Sequence, residues 1–193
     1  IVRTSALSLF DPVYFTGEDA SGFFRLSYRG EMTGPISAHA SALDLRDALE
    51  ALPSVQTVNV ARDLSVVPLE VEVIATPGKE TLTCAASACD FSLLPPGDIL
   101  RVNGLWYRVQ QSFDGSSTDL PLARLNDSSI PDYFRGANEV TVPVYRWARG
   151  FEWAVTFLKV TGDVQHLESP PHDLNPLDST LSIRIADCAR CQY

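Results

Sequence analysis

The sequence lacks several features that mark enzymes, nucleic-acid-binding proteins and membrane proteins. It contains no GxSxG motif and neither of the phosphate-binding loops GxxxxGK[ST] and GxGxxG. Its 15 basic residues are outnumbered by 24 acidic ones, and the formal net charge of −9 repels phosphate backbones. No apolar run approaches the ~18–20 residues that a membrane-spanning helix needs. These absences argue against phosphate-loop chemistry, nucleic-acid binding and a membrane span.

Patterns for catalysis and metal binding are also scarce. The three histidines, His39, His166 and His172, lie beside a predicted helix start or in loops, where histidines usually face water. A Ser-His-Asp triad joins residues that are distant in sequence, so this pattern leaves a triad open without supporting one. Residues 114–118, DGSST, resemble the start of an adhesion-type Mg²⁺ site, but no helix follows them and a turn explains them better. We predict that the chain is not an enzyme and that it has no metal site or other cofactor.

Four cysteines form two close pairs, Cys84 with Cys89 and Cys188 with Cys191. The second pair has the spacing of a zinc knuckle, but the first lacks a Gly-rich knuckle turn and lies about a hundred residues away. Disulfides are therefore the favoured interpretation, with three connectivities that the sequence leaves open. An even number of clustered cysteines, together with a single Met, is typical of an oxidising, extracellular setting.

One further feature, a sequon, agrees with secretion, and the start of the chain is interpreted separately. Asn126-Asp127-Ser128 matches the N-glycosylation sequon and lies in a polar, Ser-rich loop, where an acceptor is expected. The chain begins at Ile1, without Met or a leader-type segment, which we interpret as a sign of a processed or excised piece. We therefore expect an extracellular location, either secreted or on a cell-surface appendage.

The periodicity of the apolar residues predicts about ten strands and one helix. Residues 42–52 carry apolar side chains at helical spacing, with Ser41 as a suitable N-cap and Pro53 after the last turn. Elsewhere apolar and polar residues alternate, as in the predicted strands at 140–147 and 151–157. The predicted fold class is α+β and β-dominated, with one helix packed on a small antiparallel sheet.

The character of the sequence changes near Cys84. In PPGDILRVNGLWYRVQQSF, residues 95–113, apolar residues flank Asn103-Gly104, the strongest two-residue hairpin signal. Trp106 and Tyr107 are adjacent on one strand, so one of them faces outward unless both sides of the strand are covered. Flat rings stack on sugar faces, so this pair is a candidate sugar platform, with core packing as the alternative role. Glycans are accordingly one predicted class of partner.

Three stretches occur in a distinctive order: GFFRLSYRGEMTGPI, then ASALDLRDALEALPSVQTVNVAR, then GFEWAVTFLKVTGDVQHLE. This order resembles a repeat of large extracellular protist proteins, especially of stramenopiles, including proteins of tubular flagellar hairs (mastigonemes). The positions that carry the resemblance are Gly22, Phe24, Leu26, Gly30, Ala48, Leu49, Leu52, Pro53, Val58, Val60, Arg62, Gly150, Trp153, Val155, Thr156, Phe157, Gly162, Asp163 and Leu167. They cover about residues 20–62 and 148–168.

The resemblance implies a particular domain organisation. Residues 16–62 and 148–187 form the repeat-like α+β domain, in which the strand at 151–157 completes the sheet beside residues 22–28 or 55–61, and Trp153 packs on the helix. Residues 63–147 depart from the simple repeat, and we interpret them as a long, β-rich inserted subdomain. Residues 1–15 form an N-terminal extended strand, and residues 188–193 form a Cys-containing tail.

The N-terminal strand suggests how the protein functions. Residues 1–10 are apolar and have no local hairpin partner, so their backbone must join its own sheet or that of a neighbour. Donation to a neighbour would involve Ile1, Val2, Leu7, Leu9 and Phe10 and would build a head-to-tail polymer. We predict a structural subunit of an extracellular filament or surface appendage, with copies of itself as partners. The alternative is a monomeric adhesion or carbohydrate-binding module of a larger surface protein.

Overall fold

The chain folds into two compact units. Its structure, a computed structural model, describes residues 4–10, 19–86, 89–92, 94–115, 118–159, 165–171, 173–175 and 180–186. These residues form one α-helix and fourteen β-strands, so the predicted β-dominated α+β class is confirmed. The first unit comprises residues 1–65 and 148–193, and the second comprises residues 66–147.

The elements follow one another along the chain as β1 (Thr4–Phe10), β2 (Ser21–Phe24), β3 (Ser27–Tyr28), β4 (Glu31–Met32), β5 (Ile36–Ser37), α1 (Ala42–Glu50), β6 (Thr57–Ala75), β7 (Thr81–Cys84), β8 (Ile99–Val102), β9 (Leu105–Val109), β10 (Asp119–Arg124), β11 (Asp127–Pro131), β12 (Val140–Lys159), β13 (Asp173–Asn175) and β14 (Thr180–Ala186). The strands β6 and β12 are 19 and 20 residues long, and each includes residues of both units. The sequence predicted two strands where the structure has β12 alone. Arg149 has a φ of 58°, so the backbone bends there without ending the strand.

The helix α1 begins with a capping box. Ser41 Oγ accepts a hydrogen bond of 3.1 Å from the Asp44 N–H, and the Asp44 carboxylate accepts one of 2.8 Å from the Ser41 N–H. Both bonds satisfy N–H groups that the first turn leaves unpaired. Leu45 and Leu49 are fully buried, and the helix ends at Glu50, two residues earlier than predicted. Among the described residues, this nine-residue helix is the only one, and no helix is long and apolar enough to cross a membrane.

Trp153 on β12 lies at the centre of the core of the first unit. Its side chain is fully buried, and its indole N–H donates a hydrogen bond of 3.1 Å to the Ala40 carbonyl, just before α1. Its ring centre is 5.6 Å from that of Phe24 on β2. Leu45 and Leu49 of α1 belong to the same buried cluster. The structure thus places Trp153 in one core with the helix, as the sequence led us to expect.

A three-stranded antiparallel sheet, ordered β13-β2-β5, completes the first unit together with the hairpin β3-β4. Gly22 on β2 has a φ of +91° and pairs with Leu174 on β13. A Cβ atom at this position would lie 2.2 Å from the carbonyl oxygen of Asp173. Only glycine fits here, which explains physically why the first motif begins with this residue.

The strands of the second unit belong to a closed ring. The ring is ordered β12-β6-β7-β10-β9-β8, and β8 pairs back with β12, while β11 pairs with β10 outside the ring. Asn103 and Gly104 join β8 to β9 with φ values of 49° and 77°, which match the predicted two-residue turn. The buried core contains Leu100, Tyr107 and Phe134 among other residues.

One ion pair and one disulfide connect parts of the second unit. A buried ion pair joins Arg146 on β12 to Asp98, just before β8. A disulfide joins Cys84, at the end of β7, to Cys89, with 5.8 Å between their Cα atoms. Of the three possible connectivities, this bond excludes the two that would link one close pair to the other. The other predicted disulfide residues, Cys188 and Cys191, lie outside the described residues.

Changing Trp153 to Phe tests the centre of the first core. The variant removes the N–H group that satisfies the Ala40 carbonyl and leaves a small void. We expect the free energy of unfolding to fall by about 1–3 kcal/mol in chemical denaturation. The control is Leu158→Ala on the same strand, where the side chain is 50% exposed and the expected change is within about 0.5 kcal/mol. Equal losses in the two variants would contradict the central role of Trp153.

A second prediction concerns pH. Hydrogen bonds from the Ser54 hydroxyl and from its N–H, 2.9 Å away, hold the pKa of Glu31 below its ordinary value. Because the folded-state pKa is lowered, the stabilisation is present above the unfolded pKa of about 4.3 and is lost as the pH falls through the folded pKa. We expect wild type to be more stable than Glu31→Gln at pH 7 and the difference to disappear in acid. A pH-independent difference in denaturation midpoints would show that another contact of Glu31 is responsible.

Candidate functional site

The N-terminal strand β1 lies between two strands that are distant from it in sequence. Residues Thr4–Ser8 pair antiparallel with β12, and all seven residues of β1 pair antiparallel with β14. Among the described strands, β14 pairs with β1 alone. We call the space between β12 and β14 the β1 slot. Without β1, the backbone groups on both sides of this slot would lose their hydrogen-bond partners.

Leu7 anchors β1 in the slot. It stands directly opposite Trp153 on β12 and Ile183 on β14. Its side chain is fully buried in the same cluster as Phe24 and Phe157. Burying a leucine side chain contributes roughly 1.5–3 kcal/mol. The slot therefore combines backbone pairing on two edges with an apolar socket for one side chain.

Aromatic and cationic groups line β12 beside the slot. The guanidinium carbon of Arg62 lies 3.6 Å from the ring centre of Phe151, and the His39 ring meets the same ring edge-on at 5.6 Å. Partial burial lowers the pKa of Arg62, and the nearby Asp44 carboxylate acts in the opposite direction. Phe151 is in turn 6.1 Å from Trp153. These contacts hold β6 and the start of α1 against β12, and their role is packing.

The residues that carry the resemblance meet in one place. Phe24, Leu26, Leu49, Leu52, Val58, Trp153, Val155, Phe157 and Leu167 all belong to the buried cluster of the first unit. Three separate stretches of sequence thus build a single core. Gly162 and Asp163 lie outside the described residues. The motif reflects packing requirements, so by itself it describes a fold rather than a binding site.

The structure describes only some of the residues that we predicted to mediate self-association. Ile1 and Val2 lie outside the described residues. Leu7 is part of the core of its own chain, and the backbones of Leu9 and Phe10 pair with β14. Of the two alternatives that the sequence left open, the structure therefore shows β1 joined to its own sheet, and donation to a neighbour stays a prediction. The sequence contained a signal for the correct pairing, because β14 is also an apolar strand without a local hairpin partner.

The predicted sugar platform is only partly present. Tyr107 is fully buried, and its hydroxyl accepts a hydrogen bond of 2.9 Å from the Arg135 N–H, so its assignment to a sugar platform is wrong. Its ring packs 6.4 Å from that of Phe134, which shows why this face of β9 is covered. Trp106 points to the other face and is half-buried. Asn126 is exposed in the two-residue turn between β10 and β11.

Sequence reasoning missed the most exposed aromatic side chain of the second unit. Tyr133 is 54% exposed and lines the same surface cleft as Trp106 and Asn126. Nothing in the periodicity distinguished it, because residues 132–138 contain no regular alternation. Among the described residues, no group of three or more His, Cys, Asp or Glu side chains is placed to hold a metal ion.

Comparison with known proteins neither supports nor contradicts the resemblance to extracellular protist repeats. No protein-family model matches the chain, and no curated protein matches it significantly. The likeness to the repeat of extracellular protist proteins therefore remains a prediction.

If Leu7 fills the β1 slot, Leu7→Ala should destabilise the protein far more than Leu43→Ala. We expect Leu7→Ala to lower the free energy of unfolding by about 2–5 kcal/mol, because the socket beside Trp153 is left empty. Leu43→Ala on α1 is the matched control, since that side chain is 53% exposed and its loss should change the value by less than about 0.5 kcal/mol. Denaturation followed by tryptophan fluorescence measures both. A neutral Leu7→Ala would mean that β1 does not occupy the slot in solution.

Proposed function

We propose that the chain is a structural module of an extracellular filament or surface appendage, and that it joins copies of itself by exchange of β1. The observation that carries this proposal is the β1 slot. The strand β1 fills a place between two strands, β12 and β14, that are distant from it in sequence. The same place can receive β1 of the same chain or β1 of another copy.

Exchange conserves the contacts of β1. A β1 strand from a neighbour would form the same ladders with β12 and β14 and would place its Leu7 opposite Trp153 and Ile183. The free-energy difference between the closed monomer and the exchanged form therefore depends mainly on the connecting segment and on protein concentration. This is why domain exchange is a low-cost route to assembly.

The geometry of exchange determines the product. If each copy gives β1 to the next and receives β1 from the one before, the contact is heterologous. Such contacts build open filaments when the rotation between copies does not close. Reciprocal exchange between two copies gives a closed dimer instead. The resemblance to repeats of mastigoneme-type proteins supports the open arrangement.

Two observations support the extracellular part of the proposal. The Cys84–Cys89 disulfide persists best in an oxidising compartment. Asn126 is exposed in a hairpin turn, where a glycan can be accommodated without disturbing either strand.

Exchange predicts a specific cross-link between chains. Ala6 on β1 and Ala154 on β12 are direct partners in the antiparallel ladder, so cysteines at these positions lie close together. We expect Ala6→Cys and Ala154→Cys variants, refolded together at high concentration, to form a covalent heterodimer with a short bis-methanethiosulfonate, which forms a disulfide with each cysteine as methanesulfinate leaves. Non-reducing electrophoresis reports the product.

The controls separate exchange from other contacts. Each single variant alone and the unsubstituted chain should give no cross-linked dimer under the same conditions. The double variant Ala6→Cys/Ala154→Cys reports closure within one chain as a monomer of altered mobility. If the double variant closes completely as a monomer and the mixture never cross-links, β1 exchange is wrong, and a monomeric module of a larger surface protein becomes the better interpretation.

A further inference from the structure

A cleft of about 690 Å³ lies on the second unit. It is bounded by residues 104–106 at the start of β9, by residues 124–126 at the β10–β11 turn, and by part of the segment 132–135. The first two stretches are neighbours because β9 and β10 are paired, and hydrogen bonds of Arg135 join the third to β9. The cleft belongs to one unit and is separate from the β1 slot.

Hydrogen bonds hold the walls of the cleft in place. The Arg135 N–H donates to the Tyr107 hydroxyl at 2.9 Å, and the Arg135 guanidinium donates to the Trp106 carbonyl at 2.9 Å. The Arg108 guanidinium donates to the carbonyl of Leu125 in the opposite wall. Both walls are therefore tied to β9, and a ligand would enter a preformed site with little ordering cost.

The cleft presents apolar surface to water. Tyr133 is 54% exposed, Leu125 is 41% exposed, and Trp106 is half-buried. The Arg101 guanidinium lies 5.4 Å from the centre of the Trp106 ring. Exposed apolar surface costs about 25 cal/mol per Å² relative to burial, so a ligand that covers these side chains is stabilised.

The charges around the cleft are balanced. Arg135 lies 3.8 Å from Asp132. The Ser129 hydroxyl and N–H, and in addition the Arg124 guanidinium, hold the pKa of Asp127 below its usual range. The two arginines that line the cleft, Arg124 and Arg135, thus each have a carboxylate neighbour, which disfavours an anionic ligand. Flat rings, hydrogen-bonding side chains and near-neutral charge fit a neutral saccharide, whose C–H face can stack on an aromatic ring while its hydroxyl and amide groups bond to the rim.

A source for that saccharide lies at the rim itself. Asn126 is exposed, lines the cleft and begins the sequon that continues with Asp127 and Ser128. In N-glycosylation the amide nitrogen of the asparagine loses a proton and forms a bond to C1 of the first N-acetylglucosamine, while the lipid diphosphate of the donor leaves. We infer that the cleft holds the first N-acetylglucosamine residues of the glycan on Asn126, stacked on Trp106 and Tyr133. The glycan thereby shields apolar surface that the chain does not cover.

This inference rests on the extracellular placement in the proposed function but not on β1 exchange. The cross-link between Ala6→Cys and Ala154→Cys tests only the β1 slot. The thermal-unfolding comparison below tests only the cleft. A free saccharide of the same chemistry, from another molecule, is the alternative source, and the two sources are distinguished by whether the covalent sugar is needed.

The test uses the full chain secreted from a eukaryotic host that makes high-mannose glycans. Mass spectrometry first measures the occupancy of Asn126. Endoglycosidase H then trims each glycan to a single N-acetylglucosamine, and thermal unfolding compares this form with Asn126→Gln, which carries no glycan. We expect occupancy at Asn126 and a midpoint about 2–4 °C higher for the single-sugar form.

Variants of the cleft decide whether stacking causes the shift. In Trp106→Leu and in Tyr133→Ser, the difference between single-sugar and sugar-free forms should be lost, and comparing forms of the same variant cancels any general destabilisation. Phe23→Ser is the matched control, because Phe23 on β2 is also 54% exposed but lies outside the cleft, and it should keep the shift.

Several results would overturn the inference: an unoccupied Asn126, no shift from the attached sugar, or a shift that persists in both cleft variants. The sugar-free Asn126→Gln protein is also titrated with N,N′,N″-triacetylchitotriose, followed by saturation-transfer NMR. If the trisaccharide binds in a Trp106-dependent way and the attached sugar gives no stabilisation, the ligand of the cleft is an external saccharide and not the glycan on Asn126.

Discussion

The contact between Leu7 and Trp153 is the one on which the first unit depends. Trp153 binds the carbonyl of Ala40 ahead of α1, packs against Phe24 on β2, and stands opposite Leu7 on β1. Since β14 is paired only with β1 among the described strands, its position depends on the same contact. One buried indole therefore links the helix, the small sheet and both terminal strands.

This arrangement also limits what the motifs can say about function. Nine of the residues that carry the resemblance to extracellular repeats are buried core residues, so they are selected by volume and burial, and Gly22 is selected by backbone conformation. A fold of this kind can serve several functions. Two features that the motifs do not include support the proposed function and the further inference: the slot occupied by β1, and a preformed cleft beside a glycosylation sequon.

Features that depend on residues close together in sequence were predicted correctly, whereas features that depend on distant residues were not. The N-cap at Ser41 and the turn at Asn103-Gly104 involve residues within four positions of each other, and both were predicted. The sequence left the role of Tyr107 open between core packing and a sugar platform, because its burial depends on Phe134 and Arg135, which come from a segment without periodicity. Tyr133 was missed for the same reason. Adjacent residues on a strand face opposite sides, but only the tertiary structure shows which side is covered.

The sequence by itself determined the β-dominated class, the single helix, the close pairing of the cysteines and the position of the sequon, because local periodicity, capping and spacing specify these features. Only the tertiary structure decided that β1 pairs with β12 and β14, that Cys84 bonds to Cys89, and that Trp106, Tyr133 and Asn126 share one cleft. The physical reason is that strand pairing and cleft formation join residues far apart in the chain. Their choice depends on the total burial of apolar surface and backbone hydrogen bonds, which no short stretch of sequence contains.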